Sequence, residues 1–251
     1  MQTQKPATTP LTISHIDCSP SGDVILMYCK TDNIPEWWFS AGQFMLLAAE
    51  IDGKMIKRSY SIATTPQLLS DQWLIWFSIK RVEGGVFSTR AIQIAKSGDM
   101  LTMTGPLWHM TDDEQFSDYL LISAGSWLSP IYSIYHSLLQ SSRTIRIANI
   151  FGERYFSHIL PCVHQDWVEG VWSDSMINWD SIYSQCFLSQ DEYEWYMIGR
   201  VQVWLANALD RLATTKIKVF ICWAPAMVDE VRNLLIAEYG IDPTQIKFEK
   251  Y

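Results

Sequence analysis

The spacing of the strand-like segments changes part-way along the chain, and this change constrains the fold more than any other feature. Up to about residue 107, short runs of β-forming residues follow one another with only tight turns between them. Asp52-Gly53 is a strong signal for a two-residue hairpin, so the runs on either side of it are expected to pair. Closely spaced strands without long helices between them predict an antiparallel Greek-key β-barrel. The predicted strands are 11–18, 24–29, 44–51, 55–63, 74–80 and 100–103.

After the polar stretch 111–115, strands alternate with helices. Strands are predicted at 119–123, 144–151, 216–222 and 246–249, and helices at 130–140, 201–212 and 226–239. This alternation predicts βαβ units and therefore an α/β domain with a parallel sheet. The chain of 251 residues is long enough for both cores. We predict a flexible leader at 1–9, a β-barrel domain at 10–112 and an α/β domain at 113–251.

Composition narrows the possible partners and the compartment. The net charge is −8 and there is no basic block, which argues against nucleic acid as a partner. No apolar run approaches the roughly 18 residues of a membrane span, and the first ten residues lack the apolar segment of a secretory signal. Five cysteines without a C-x-x-C pair indicate a reducing compartment, which we predict to be the cytoplasm.

The cysteines and histidines do not form a recognisable metal site. His158, Cys162 and His164 lie close in sequence but match no zinc spacing, so no metal is predicted. The cysteines also supply no ligand set for an iron–sulfur cluster. If electrons leave this protein singly, the cluster that receives them is expected on another chain.

Two short segments carry residue types suited to a planar ligand with phosphates. Arg58-Ser59-Tyr60-Ser61 ends a strand-like run, and Gly84-Gly85 and Ser88 follow some two dozen residues later. A guanidinium binds phosphate through paired donors, an aromatic ring stacks on a planar ring, and a glycine pair lets backbone N–H groups approach an anion. The first segment taken alone also fits an edge strand with an exposed arginine. Together, the two segments predict a flavin site.

The content and order of several segments resemble the ferredoxin–NADP reductase superfamily. The resemblance runs from about residue 10 to the last residue. It implies an FAD-binding barrel followed by an NAD(P)-binding-like domain. Hydride would pass from NADH or NADPH to FAD, and electrons would pass on to ferredoxin, another electron-carrier protein or a small acceptor. The segments that carry the resemblance are Gly42-Gln43-Phe44, 58–63, 84–88, Gly98-Asp99, Gly105-Pro106, 124–130, 221–227 and 248–251.

On the flavin side, the resemblance implies a role for each residue of the two segments. Arg58 would pair with the flavin diphosphate, Tyr60 would stack on the isoalloxazine, and Ser61 would hydrogen-bond near N5. The glycine-rich segment would contact the diphosphate through backbone amides and a capping hydroxyl. The residues of that segment are Gly84, Gly85, Val86 and Ser88. The resemblance favours FAD over FMN.

On the nucleotide side, the resemblance implies a diphosphate loop and three residues near the flavin ring. The loop that receives the NAD(P)H diphosphate in this family retains part of its residue pattern here, at Gly125, Ser126 and Pro130. Cys222 would lie on the hydride path and Glu249 beside the flavin ring edge. The terminal Tyr251 would shield the ring.

The nucleotide half departs from the family at two glycine positions, which are Trp127 and Trp223 in this chain. Each indole either fills the nucleotide groove or packs outward and leaves it open. In the first case the protein would be a flavin-binding electron-transfer or interaction subunit that no longer takes a dinucleotide. The family often has a positive charge at the segment that binds the 2′-phosphate of NADPH, and this chain has Ser189-Gln190-Asp191 there. Gln190 has no charge and Asp191 would repel a phosphate, so NADH is favoured over NADPH. Arg154 either contacts a ribose or phosphate or is an ordinary exposed loop residue.

Overall fold

The computed structural model describes residues 7–31, 39–91, 96–107, 110–112, 114–169, 181–193, 196–212 and 216–250. Two six-stranded sheets follow one another along the chain. The first is antiparallel and the second parallel, which confirms the predicted fold class. None of the described helices is long and apolar enough to cross a membrane.

The first sheet has the strand order β4-β3-β6-β1-β2-β5. β1 begins four residues earlier than predicted, so residues 7–9 of the expected leader pair with β6. The Gly105-Pro106 pair lies inside β6, which extends four residues beyond the predicted 100–103. The strands are β1 Ala7–Cys18, β2 Val24–Lys30, β3 Phe44–Ile51, β4 Lys54–Ser61, β5 Leu74–Lys80 and β6 Met100–Leu107.

The β3–β4 hairpin fixes the position of the Arg-Ser-Tyr-Ser segment. Asp52 and Gly53 have φ values of 51° and 72°, the left-handed geometry of a tight hairpin turn. The register from Ile51↔Lys54 to Phe44↔Ser61 is continuous, so the predicted pairing is confirmed. The hairpin places Ser61 at the last rung of the ladder, where the chain leaves the sheet.

The sheet curls so that the chain following β4 meets β5 at the opposite edge. The Ala63 amide donates to the Trp76 carbonyl at 3.0 Å, and the Trp76 amide donates to Thr64 Oγ1 at 2.6 Å. Between these segments lies a short helix that the sequence analysis did not predict, α1 Pro66–Gln72. Thr65 caps it by accepting a hydrogen bond from the Leu68 amide.

The second sheet has the order β10-β9-β8-β7-β11-β12, and its described strand pairs are all parallel. The first strand, β7, is central, and the chain then adds β8 on one side of it and β11 on the other. β9 and β10 were not predicted from the sequence. The strands are β7 Asp118–Ala124, β8 Arg146–Glu153, β9 Ile182–Leu188, β10 Met197–Ile198, β11 Ile217–Trp223 and β12 Ile246–Lys250.

Helices cover both faces of the parallel sheet. The predicted helix at 201–212 is instead a 3₁₀ turn at Val201–Trp204 followed by a short α-helix. The segment after β8 contains a further short helix and a π-type turn at Gln165–Glu169. The α-helices of this half are α2 Ser129–Leu139, α3 Pro161–His164, α4 Leu205–Leu209 and α5 Pro225–Ala237.

The two halves pack closely through α2. Trp76 of β5 and Tyr132 of α2 form an edge-to-face ring pair with centroids 4.9 Å apart. The Ser133 hydroxyl donates to the Thr64 carbonyl at 2.6 Å. One buried cluster contains side chains from both sheets. The predicted boundary at 112/113 lies between β6 and β7, and α2 brings the second half against the barrel.

Candidate functional site

A cavity of about 320 Å³ lies where the barrel meets the start of α2. It is formed by the end of β4, the end of β5, the glycine-rich loop and the loop that follows β7. Eight residues that the sequence analysis assigned to the site line it: Arg58, Tyr60, Ser61, Gly85, Val86, Ser88, Ser126 and Pro130. The remaining lining residues are Ser59, Ser78, Lys80, Val82, Phe87, Trp127 and Ser129.

β4 contributes a cation and a ring to the cavity. Arg58 is exposed, and its Nη1 donates to the neighbouring Lys57 carbonyl at 2.7 Å. Tyr60 is half-buried, with its ring centroid 5.5 Å from that of Phe87. Burial raises the pKa of Tyr60 to about 12, although Arg58 acts in the opposite direction. The phenol is therefore neutral at physiological pH and presents a flat apolar face.

The glycine-rich loop is compact and leads into a π-type turn at Val86–Ala91. A Cβ on Gly85 would stand 2.5 Å from Ser88 Oγ and 2.9 Å from the Val82 carbonyl oxygen, so only glycine fits. The Gly85 amide donates to that carbonyl at 2.8 Å, and Ser88 Oγ accepts from the Val82 amide at 3.2 Å. The Gly85 amide is therefore engaged within the loop, and the glycine contributes space. Gly84, with φ +71°, shapes the turn but does not line the cavity.

Ser78 and Lys80 of β5 belong to the site although the sequence analysis did not select them. The Ser78 side chain is buried, and its hydroxyl has no hydrogen-bond partner within the described part of the chain. A buried hydroxyl without a partner is costly, so a polar ligand edge would stabilise it. Strand alternation puts residues 78 and 80 on one face, which was the only sequence signal for them.

The lining of the cavity fits FAD. Arg58 provides a cation for a diphosphate, and the ring of Tyr60 provides a stacking surface. Gly85 lets the loop pack tightly at the cavity wall, where a Cβ would clash, and Ser78 offers a buried hydroxyl without a partner among the described residues. The lining is mixed in the way expected of a cofactor site, with apolar walls and a few polar groups.

Ser61, Glu249 and Cys222 meet at one edge of the site, across the two halves of the chain. The Ser61 hydroxyl donates to Glu249 Oε2 at 3.2 Å, and Cys222 Sγ lies 4.0 Å from the same oxygen. Cys222 and Glu249 are register partners on β11 and β12, which explains their contact. Burial, and then Glu249, raise the pKa of Cys222 well above its usual range, so the sulfur is a thiol. Cys222 and Glu249 do not line the cavity themselves, and Tyr251 lies outside the described residues.

The loop after β7 closes the cavity from the second half of the chain. Gly125 has φ +57° and opens a 3₁₀ turn, which leads into α2 with Pro130 in its first turn. Ser126 and Trp127 line the cavity, whereas Gly125 does not. The half-buried indole of Trp127 also packs against the cluster shared by the two sheets.

Trp223 and the predicted selectivity segment lie at the carboxyl ends of the parallel strands. Trp223 is half-buried, and its Cη2 lies 3.3 Å from the position that a Cβ on Gly152 would take. Gln190 accepts a hydrogen bond from the Tyr155 hydroxyl at 2.7 Å, and Asp191 accepts one from the Phe156 amide at 3.1 Å. Arg154 is exposed.

Comparisons with known proteins agree with the geometry. Residues 19–111 match the family model described as an oxidoreductase FAD-binding domain. The chain is 27% identical over 219 residues to ferredoxin–NADP reductase B of Sorangium cellulosum (strain So ce56), covering 85% of each chain. The chain is similar to members of the ferredoxin–NADP reductase superfamily. The chain is also similar to the toluate 1,2-dioxygenase electron transfer component of Pseudomonas putida. The two are 24% identical over 231 residues, which cover 92% of this chain and 64% of that relative.

Solved structures support the reductase fold over the whole chain. The ferredoxin reductase in carbazole 1,9a-dioxygenase superposes with a TM-score of 0.79 at 21% identity, covering 100% of this chain and 71% of that one. A ferredoxin NADP+ reductase from Neisseria gonorrhoeae superposes with a TM-score of 0.73 at 19% identity, covering 97% of this chain and 98% of that one. At these identities the likeness concerns the fold.

Proposed function

We propose that this protein is a flavin-dependent oxidoreductase that passes electrons from NADH or NADPH through FAD to a ferredoxin or another acceptor. The observation that carries the proposal is the cavity shared by the two halves of the chain. Arg58 and Tyr60 reach it from the barrel, and Ser126 and Pro130 reach it from the α/β half. FAD, when bound, supplies the chemistry that accepts a hydride and releases electrons singly.

The residues of the cavity hold and orient the cofactor in this proposal. Arg58 binds the diphosphate, and Tyr60 stacks on the ring system. Ser78 hydrogen-bonds a polar edge of the ligand, which would satisfy its free hydroxyl. Gly85, Val86 and Ser88 shape the wall nearest the diphosphate. Gly84 supports this wall from outside the cavity.

The hydrogen bond between Ser61 and Glu249 joins the barrel to the α/β half of the chain, at the edge of the proposed flavin site where the ring would lie. Ser61 lines the cavity, and its hydroxyl proton points to the Glu249 carboxylate. In this role Ser61 and Glu249 position a proton donor beside the reacting atoms, as general acid–base residues do. Cys222 packs beneath them as a neutral thiol and limits access of water. Tyr251 keeps its predicted role as a ring shield.

The α/β half would present the reductant to the cavity. Open parallel sheets bind ligands at the carboxyl ends of their strands, and the loop with Gly125 and Ser126 lies there, beside the flavin cavity. We propose NADH as the preferred nucleotide. Gln190 and Asp191 provide no positive charge for a 2′-phosphate, and the Asp191 carboxylate would repel it.

The proposed acceptor is a protein carrier. The relatives named above are a ferredoxin–NADP reductase and an electron transfer component of an oxygenase, so a ferredoxin or an oxygenase component is the class of partner that we infer. Nucleic acid is not part of this proposal, in keeping with the net charge of −8. The proposed compartment is the cytoplasm, where the five free thiols would stay reduced.

Anaerobic bleaching of the purified yellow protein tests the proposal. NADH is expected to bleach the flavin absorbance, and NADPH to do so more slowly. A second candidate, a flavin-binding electron-transfer subunit without a dinucleotide site, is favoured by the position of Trp223. Bleaching by dithionite but by neither nucleotide would establish that candidate instead. Folded protein that stays colourless after reconstitution with FAD would contradict both.

A further inference from the structure

The topology of the parallel sheet locates its ligand crevice. The chain goes from β7 to β8 on one side and later adds β11 on the other side, so the strand order reverses at β7. Ligands of open α/β sheets bind at such a switch point, outside the carboxyl ends of the strands. In this protein those ends are Ala124 of β7, Gly152-Glu153 of β8 and Trp223 of β11.

The indole of Trp223 lies across this switch point. β11 and β8 are separated by β7, which puts their backbones about 9.5 Å apart. Trp223 Cη2 nevertheless lies 3.3 Å from the position that a Cβ on Gly152 would take. Cys222 pairs with Ser123, so Trp223 is level with Ala124 at the end of β7. A side chain that starts on β11 and ends beside β8 must therefore lie over the end of β7.

Gly152 is the counterpart that lets the indole lie there. A Cβ at this position would stand 2.9 Å from Val201 Cγ2 as well as 3.3 Å from the indole. A residue with a side chain would compete with Trp223 for the same space. The indole is half-buried and packs against the hydrophobic cluster that contains Val201, so the rest of its surface remains accessible.

A carboxylate lies beside the same crevice. Glu153 Oε2 is 3.3 Å from the position of a Cβ on Gly125, the first residue of the loop after β7. The Glu153 side chain is only 6% exposed, and its Oε1 accepts from the Arg154 amide at 2.7 Å. His158 Nδ1 is 3.6 Å away, and its other nitrogen faces Asp23 at 3.5 Å. An anionic ligand approaching this loop would meet a negative charge.

We propose that Trp223 is the gate of the nucleotide crevice: its indole rests in the path of the dinucleotide and must swing out before the nucleotide binds. This inference rests on the proposed function, because it concerns the reductant site of that reaction. Trp223 sets the affinity for the reductant by competing with it. Glu153 adds an electrostatic barrier at the loop where the diphosphate would approach. Flavin binding, which uses the separate cavity lined by Arg58 and Tyr60, is independent of the gate.

Removal of the indole tests the gate. The FAD-loaded wild type and W223G are titrated with NAD+, which binds without reducing the flavin, and binding is followed by the flavin difference spectrum and by calorimetry. W223G is expected to bind NAD+ at least about tenfold more tightly, because it no longer has to displace a half-buried ring. W73G is the matched control, since Trp73 is exposed, has φ 58° and lies at the far end of β5. Its NAD+ affinity should equal that of the wild type.

W223F keeps the inference testable if W223G does not fold. A phenyl ring is shorter than an indole and still packs on the strand end, so NAD+ binding should tighten by about threefold. One FAD bound per chain serves as the criterion of folding for every variant. An NAD+ affinity unchanged from the wild type, in whichever folded variant is available, overturns the gate.

Different measurements test the gate and the proposed function. NADH bleaching of the wild type tests the function, and the ratio of NAD+ affinities tests the gate. A wild type bleached by NADH together with an unchanged W223G overturns the gate alone. A wild type that NADH does not bleach, together with a W223G that it does bleach, supports the gate and overturns NADH oxidation by the native chain.

Discussion

Arg58 and Lys57 are adjacent exposed cations on β4, but strand alternation points them to opposite faces. Only Arg58 lines the cavity. We expect Arg58→Ala to weaken FAD binding by about 10- to 100-fold, because a charge-assisted hydrogen bond contributes about 1.5–3 kcal/mol. Titration of the apoprotein with FAD, followed by quenching of flavin fluorescence, measures the change. Lys57→Ala is the control, and an equal loss in both variants would mean that general surface charge attracts FAD.

Asp166 is a half-buried carboxyl with a raised pKa. The Tyr132 hydroxyl donates to it, and His136 Nε2 lies 3.5 Å away. Burial lowers the pKa of His136 to about 3, so this imidazole is neutral at pH 7 and provides no positive charge. Burial also raises the pKa of Asp166 to about 6, against the opposing effect of the hydrogen bond from Tyr132.

The raised pKa makes the stability of the protein depend on pH in a defined direction. The folded state holds the Asp166 proton more tightly than the unfolded state, whose pKa is about 3.9. Ionisation therefore destabilises the fold progressively from about pH 4 to pH 6, by about 2 kcal/mol in total. Asp166→Asn keeps an acceptor for Tyr132 but cannot ionise. The wild type should lose about 2 kcal/mol more than this variant between about pH 4.5 and 7.5, as measured by urea unfolding.

An exposed carboxylate provides the control for this pH dependence. Glu83 is exposed, and Glu83→Gln should follow the wild-type curve of stability against pH. If the Asp166→Asn curve also runs parallel to that of the wild type, Asp166 does not titrate differently in the two states.

At the scale of elements, sequence signals that span a few residues correctly predicted a hairpin and the bounds of two strands. Asp52-Gly53 predicted the β3–β4 hairpin, and the bounds of β3 and β5 agree with the prediction to the residue. The first turn of the 201–212 segment was missed because its apolar spacing is helical throughout, whereas the backbone adopts the tighter 3₁₀ form. β9 was missed because the polar pair Ser184-Gln185 interrupts its apolar residues and only its last three residues are buried.

The parts of the site that escaped prediction depend on contacts between distant elements. The Ser78 amide donates to Ser129 Oγ across 51 residues of sequence, and this contact exists only because α2 packs on β5. Trp223 shows the same limit. The sequence left both an inward and an outward position open, and the choice depends on Gly152 two strands away. Local periodicity contains no information on either contact.

The loop at residues 81–88 gives a prediction about backbone space. Gly85→Ala would bring a Cβ within 2.5 Å of Ser88 Oγ and 2.9 Å of a backbone carbonyl, so the loop must shift. Because this loop forms a wall of the cavity, FAD affinity should fall by at least about tenfold. Gly22→Ala is the control: its φ of +73° is unsuited to alanine, but no atom lies within 4 Å. That variant should lose about 1 kcal/mol of stability and keep its FAD affinity. Equal FAD affinities for the two variants would contradict a close fit at Gly85.

At the scale of the whole molecule, the two halves share one buried cluster. Trp76 is the central contact: it belongs to β5 of the barrel, is 5% exposed, and has Tyr28 on one side and Tyr132 of α2 on the other. The Ser133–Thr64 hydrogen bond and the Ser61–Glu249 hydrogen bond join the same two halves at other points. A loss of packing at Trp76 should therefore be transmitted to both sheets rather than remain in the barrel.

We accordingly expect Trp76→Ala to destabilise the protein by about 3–5 kcal/mol while leaving a single unfolding transition. Flavin release reports on the barrel and far-UV circular dichroism on the helices of the α/β half. Both midpoints should fall by the same amount, because neither half keeps its share of the cluster once the other has unfolded. Trp73→Ala, at a residue that is 38% exposed and directly precedes β5, should shift both midpoints little. Two separate transitions in the wild type would mean that the shared cluster does not couple the halves, and the cavity between them would then open without unfolding of either sheet.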